Sequence, residues 1–146
     1  MYVSVIGGGE CDEETYEMAV EVGRRIARMD AILITGGLHG VMEAVCKGAK
    51  EEGGVTIGII PGERKEEAND YLDYVIATGL GQARNALVVL NGDIVIAING
   101  GYGTLSEIGL ALKYGKKVYG LKSWDLIKNF GSIDELFEEI KKLSLK

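Results

Sequence analysis

Asp93-Ile94-Val95-Ile96-Ala97-Ile98-Asn99-Gly100-Gly101-Tyr102-Gly103-Thr104-Leu105-Ser106-Glu107 is the stretch that decides how this chain reads. The apolar run up to Ile98 predicts a strand, and Leu105, Ile108, Ala111 and Leu112 repeat at helical spacing beyond it. Between them, Gly100, Gly101 and Gly103 strip side chains from a tight turn. Backbone N–H groups at the positive end of a helix dipole can then approach a ligand, which favours phosphate.

The same order recurs outward in both directions. Strand-like runs at residues 2–6, 31–35, 55–60, 74–77 and 117–121 alternate with helical patterns at 12–29, 41–52 and 82–90, and a terminal helical region is expected from Ser123 to Leu143 with a break near Gly131. The strands lack clean alternation and read as nearly continuous apolar runs, as in sheets covered on both faces. An α/β fold follows: a doubly wound, mainly parallel sheet with helices on both faces, in three layers. Turn-forming residues close successive strands: Gly7-Gly8-Gly9, Gly36-Gly37, Pro61-Gly62, Thr78-Gly79 and Gly100-Gly101. Such sheets bind ligands beyond the carboxyl ends of their strands, where these glycines fall. Each turn taken alone also fits a plain connection.

Residues 1–146 read as one domain, and a 47% hydrophobic composition suffices for its core. With 22 acidic against 16 basic residues, the net charge of −6 argues against a general nucleic-acid surface. No apolar run approaches the ~20 residues of a membrane span, and the chain opens on a strand-like segment rather than a signal peptide, so a cytoplasmic location is expected. Cys11 and Cys46 read as free thiols in a reducing compartment. Scarce Asn and Gln beside abundant Glu and Lys point to a thermophilic source.

Several nucleotide sites are excluded by spacing. Gly7 and Gly9 fit a dinucleotide fingerprint, but Asp12 stands where its third glycine belongs and the second strand ends in Thr35-Gly36 rather than an acidic residue. No P-loop motif occurs. A lone His39 cannot build a His-based metal cluster, and no metal is expected; His39 reads as a loop residue near a pocket rim. No Ser-His pair in an evident elbow supports a hydrolase triad.

Thr35-Gly36-Gly37-Leu38-His39-Gly40-Val41-Met42-Glu43-Ala44, Ala83-Arg84-Asn85 and Gly100-Gly101-Tyr102-Gly103-Thr104-Leu105-Ser106-Glu107, in that order, closely resemble the molybdenum-cofactor-carrier-like proteins. These are relatives of the LOG family of cytokinin-activating phosphoribohydrolases, once labelled lysine decarboxylases. The resemblance implies a Rossmann-like fold, a phosphate-bearing small molecule as ligand and a homodimer or higher homo-oligomer. The LOG signature is PGGxGTxxE with an upstream Arg-Lys pair, whose Arg and final Glu are taken as catalytic; these match Arg84 and Glu107. Asn99 replaces the leading proline and Asn85 the lysine, and both departures point toward the carrier-like branch. A decarboxylase using pyridoxal needs a cofactor-linking lysine, which nothing here marks.

The expected ligand-binding set is therefore Gly7, Gly8, Gly9, Gly36, Gly37, Arg84, Asn85, Gly100, Gly101, Tyr102, Gly103, Thr104 and Glu107. Arg84 and Glu107 are its catalytic pair if the protein is an enzyme. No cofactor is required, and a bound nucleotide or molybdopterin-type cofactor is the expected occupant. A second reading stays open for Thr104 and Glu107, whose spacing also fits a helix capping box. Likewise, residues 62–70 read as a solvated connector or a lid. A structural oligomer that has lost its ligand is a third reading of the whole. The apolar face of Ala83, Ala86, Leu87 and Leu90, with the helical surface at 102–114, is the expected contact between copies.

Overall fold

The computed structural model describes residues 1–144. Among the described residues, seven strands form one sheet: β1 (Tyr2–Gly7), β2 (Ile32–Thr35), β3 (Thr56–Ile60), β4 (Tyr74–Ala77), β5 (Ile94–Ile98), β6 (Lys117–Leu121) and β7 (Lys128–Asn129). Their order is β4-β3-β2-β1-β5-β6-β7, with every neighbouring pair parallel. Five helices cover it: α1 (Glu13–Arg28), α2 (Val41–Glu51), α3 (Asn85–Asn91), α4 (Tyr102–Lys113) and α5 (Ile133–Ser144). This is the Rossmann-like, three-layer arrangement expected from the alternation of patterns.

Period-two geometry divides the central strand between two cores. Ile94, Ile96 and Ile98 of β5 join Ala19, Val45 and Leu136 on the face covered by α1, α2 and α5. Val95 and Ala97 join Val88, Val89, Ile108 and Ala111 on the face covered by α3 and α4. All five residues of β5 are buried, which is why its sequence shows no alternation. α1 starts where Asp12 Oδ1 accepts the Thr15 amide at 2.8 Å, with Glu13 and Glu14 in the first turn favouring the dipole. α3 is preceded by a 3-10 turn at Gly81–Arg84.

The C-terminal expectation needs correction. Residues 123–127 form no helix, β7 extends the sheet, and α5 begins only at Ile133. Asn129 supplies the reason: its Oδ1 accepts the Ser123 amide at 2.7 Å, while its Nδ2 donates to the Trp124 carbonyl at 3.0 Å and the Ile127 carbonyl at 3.2 Å. Side-chain bonds to nearby backbone thus outcompete a helical ladder. Among the described residues, no helix is long and apolar enough to cross a membrane.

Candidate functional site

Strand order reverses at β1, which has β2 on one side and β5 on the other. A crevice opens at such a switch point, beyond the carboxyl ends of the strands. It holds a cavity of about 340 Å³, near the lower end of the ~300–1,000 Å³ typical of small-molecule sites. Gly7, Gly8 and Gly9 line it after β1, Gly36 after β2, Arg84 and Asn85 at the start of α3, and Gly101, Gly103, Thr104 and Glu107 around the start of α4. Val5, Ile6, Leu38 and Met42 add an apolar wall and Gln82 an amide.

Three residues of the expected set lie outside this lining. Gly37, at φ 77°, packs near Ile60, and its carbonyl accepts the Asn69 amide at 2.9 Å. Gly100, at φ 104°, sits against the Thr104 side chain, where any Cβ would collide. Tyr102 is 83% exposed and faces Trp124 with 6.1 Å between ring centroids. His39 is also outside the lining, exposed on the loop before α2 with Nδ1 3.2 Å from Glu43 Oε1.

The capping-box reading of Thr104 and Glu107 fails on geometry. α4 begins at Tyr102, so both residues are inside the helix, and Gly101 occupies the cap position with no side-chain cap. The first-turn amides of α4 are therefore left without the usual side-chain acceptor. Gly101 and Gly103 have open space where a Cβ would be, so a ligand can reach this backbone.

Arg84 enters the cavity over Gly36, where a Cβ would stand 2.8 Å from both Arg84 Nη2 and Met42 Sδ. Its Nη2 donates to the Gly36 carbonyl at 3.4 Å and its Nη1 to Asn85 Oδ1, while Asn85 Nδ2 donates to Gln82 Oε1 at 3.2 Å. Arg84 is 7% exposed, and among the described residues its buried Nε has no partner, a costly state for a charged donor. Thr35 Oγ1, at the end of β2, is similarly unpartnered.

Glu107 is 8% exposed. Burial pushes its carboxyl up to about 7, with the Arg84 charge pulling the other way. Burial also lowers the Arg84 value, against the opposing pull of Glu107. The cavity thus combines a cation and open amides for an anion, an apolar wall for a ring, and a carboxyl able to hold or release a proton near neutrality.

Sequence reasoning missed Asn69, which lay in the segment read as connector or lid. It is buried, donates from Nδ2 to the Leu38 carbonyl at 2.8 Å, and accepts the Tyr71 amide at 2.9 Å. It ties the 62–70 segment to the loop that supplies Leu38. No spacing in the chain marks this contact, which joins residues 31 positions apart.

Relatives share both fold and sequence. The molybdenum cofactor binding protein of Rippkaea orientalis has a TM-score of 0.92 at 38% identity, covering 97% of this chain and 96% of that one. An uncharacterized protein of Archaeoglobus fulgidus is 53% identical over 122 residues, 84% of this chain and 80% of its own length. A cytokinin riboside 5′-monophosphate phosphoribohydrolase of Mycobacterium tuberculosis is 37% identical over 98 residues, 65% of this chain. The chain spans about half the length of that enzyme, 52%. The model of the SLOG cluster4 family matches residues 1–144, and the chain belongs to that family.

Proposed function

We propose that this protein binds a phosphate-bearing small molecule, a nucleotide or a molybdopterin-type cofactor, in the cavity between β1 and β5. The observation that carries this reading is the unpartnered Nε of Arg84, over nine-tenths buried, in the same cavity as the uncapped start of α4. A phosphate supplies acceptors for both. The Val5, Ile6, Leu38 and Met42 wall suits a flat heterocycle, with the Asn85 and Gln82 amides in the same lining. Similarity to the Rippkaea molybdenum cofactor binding protein supports the cofactor form of the reading. Native mass spectrometry of the purified protein, repeated after denaturation, tests it: a released phosphate-bearing heterocycle is expected, and failure to retain or bind one at millimolar concentration overturns it.

A second reading is favoured by Glu107. Its carboxyl, held near neutrality in a buried site, fits a residue that stabilises oxocarbenium-like charge or activates water, with Arg84 orienting the phosphate. That is the chemistry of cleaving a nucleoside 5′-monophosphate to base and ribose 5-phosphate, the activity named for the mycobacterial relative. Asn85 and Asn99 depart from the hydrolase signature, so binding ranks first. A second copy of this chain is the proposed macromolecular partner, and the cytoplasm the proposed location.

A further inference from the structure

The carbonyls of Asn99 and Gly101, on either side of Gly100, are engaged from outside the cavity by a single short loop. Trp124 Nε1 donates to the Gly101 carbonyl at 3.3 Å, alongside the Leu105 amide at 3.0 Å. Ser123 Oγ donates to the Asn99 carbonyl at 2.9 Å. Between these anchored carbonyls the backbone is left-handed, with φ 51° at Asn99 and 104° at Gly100. A non-glycine residue in that conformation must be held there by its surroundings. Gly103 is fixed by a local bond, its carbonyl accepting Ser106 Oγ at 2.7 Å. Among the described residues, the Gly101, Gly103 and Thr104 amides have no acceptor within the chain.

The loop is itself braced. Asn129 of β7 holds the Ser123 amide and the Trp124 carbonyl, and β7 pairs with β6 through Gly120. The Trp124 ring packs partly against the core beneath α4, and Tyr102 covers part of it. The indole N–H therefore reaches the Gly101 carbonyl from a side chain partly packed against the core.

We propose that Trp124, aided by Ser123, is a positioning residue that holds the Gly100–Thr104 turn with its carbonyls outward and its amides free for the phosphate. This rests on the phosphate-binding reading above for its functional consequence, and on the loop contacts alone for its structural one. Trp124 lies outside the cavity lining. Its effect passes through the Gly101 carbonyl.

Two measurements on Trp124→Phe separate the two levels. The variant keeps an aromatic ring against the core and loses the N–H donor. Without any ligand, NMR backbone order parameters at Gly100, Gly101 and Gly103 are expected to fall from about 0.85 toward 0.6 or below, while those of α1 stay unchanged. Unchanged values in the turn overturn the proposal whether or not the protein binds phosphate. With inorganic phosphate and adenosine 5′-monophosphate as probes, calorimetry should show both affinities falling by about 3- to 10-fold, the effect of one lost hydrogen bond. A looser turn with unchanged affinity for both probes overturns the positioning role. No binding of either probe by the unmutated protein overturns the phosphate reading instead, and the order parameters then judge the loop contact by themselves. Ser123→Ala, which removes only a half-buried hydroxyl, should give the same pattern at smaller amplitude and serves if Trp124→Phe does not fold.

Discussion

Arg84 and Glu107, a cation and a carboxyl that burial lifts to about 7, share one cavity, each more than nine-tenths buried, yet no hydrogen bond or ion pair joins them. A buried pair held only by longer-range attraction keeps most of its desolvation cost. Burial is accordingly the larger influence on both groups, raising Glu107 toward neutrality and lowering Arg84. A phosphate bound between open amides and Arg84 would relieve the guanidinium. The same anion would favour the protonated, neutral form of Glu107.

Glu107 makes stability depend on pH in a defined window. Its folded value of about 7 lies above the ordinary 4.5, so the folded state holds a proton that the unfolded state has already released between those values. Stability therefore falls as pH rises from about 4.5 to about 7, by roughly 3 kcal/mol on this group alone. Glu107→Gln should flatten that slope in thermal melts across the window. An unchanged slope would show that Glu107 ionises normally.

The same substitution separates carrier from enzyme. The unmutated protein is expected to release little or no ribose 5-phosphate from adenosine 5′-monophosphate, and Glu107→Gln should leave ligand affinity nearly unchanged. If turnover is instead robust and falls by ~10²-fold or more in Glu107→Gln, the hydrolase reading takes first place.

Gly101 offers a test of the turn with little risk to the fold. A Cβ there meets nothing within 4 Å, and its φ of −100° is open to any residue. Gly101→Leu should keep the melting temperature within a few degrees and abolish phosphate binding by covering the amides. Retained affinity would place the anion elsewhere.

Arg84→Met removes a buried charge whose Nε is unsatisfied while keeping an extended apolar stem. Phosphate affinity should fall by about 10- to 100-fold, the effect of a charge-assisted hydrogen bond. Melting temperature should change by only a few degrees, since loss of the unpartnered Nε offsets loss of the bonds to the Gly36 carbonyl and Asn85 Oδ1. Isothermal titration together with calorimetric melts reads both.

Self-association should use the less covered face of the sheet. α1, α2 and α5 share one face, whereas the other has α3 and α4, and Tyr74 and Ile76 of β4 remain exposed. Leu80 and Leu90 beside and on α3, with Leu112 on α4, are exposed as well. Light scattering at micromolar concentration is expected to give at least a dimer, and Ile76→Lys with Leu90→Lys should shift it to a monomer. A monomeric mass for the unmutated protein would overturn this.

Local chemistry made most of the fold legible in the chain. Asp12 before an apolar periodicity marked the start of α1, and unbroken apolar runs closed by glycines marked strands buried on both faces. The glycine turn before α4 was equally plain, because backbone approach and dipole direction depend on residues adjacent in sequence. What the sequence left open depended on distant neighbours. Whether Thr104 and Glu107 cap α4 or line a cavity turned on where the helix begins, and Gly101 rather than Thr104 took the cap. The unsatisfied Nε of Arg84 and the carboxyl of Glu107, elevated by burial, belong to a cavity that β1, the Gly36 turn, α2 and α3 line together with the start of α4. The 123–129 loop displaced an expected helix because Asn129 found backbone partners there and β7 found β6. Sequence spacing encodes periodicity and turns, whereas burial, and with it charge state, belongs only to the assembled tertiary structure.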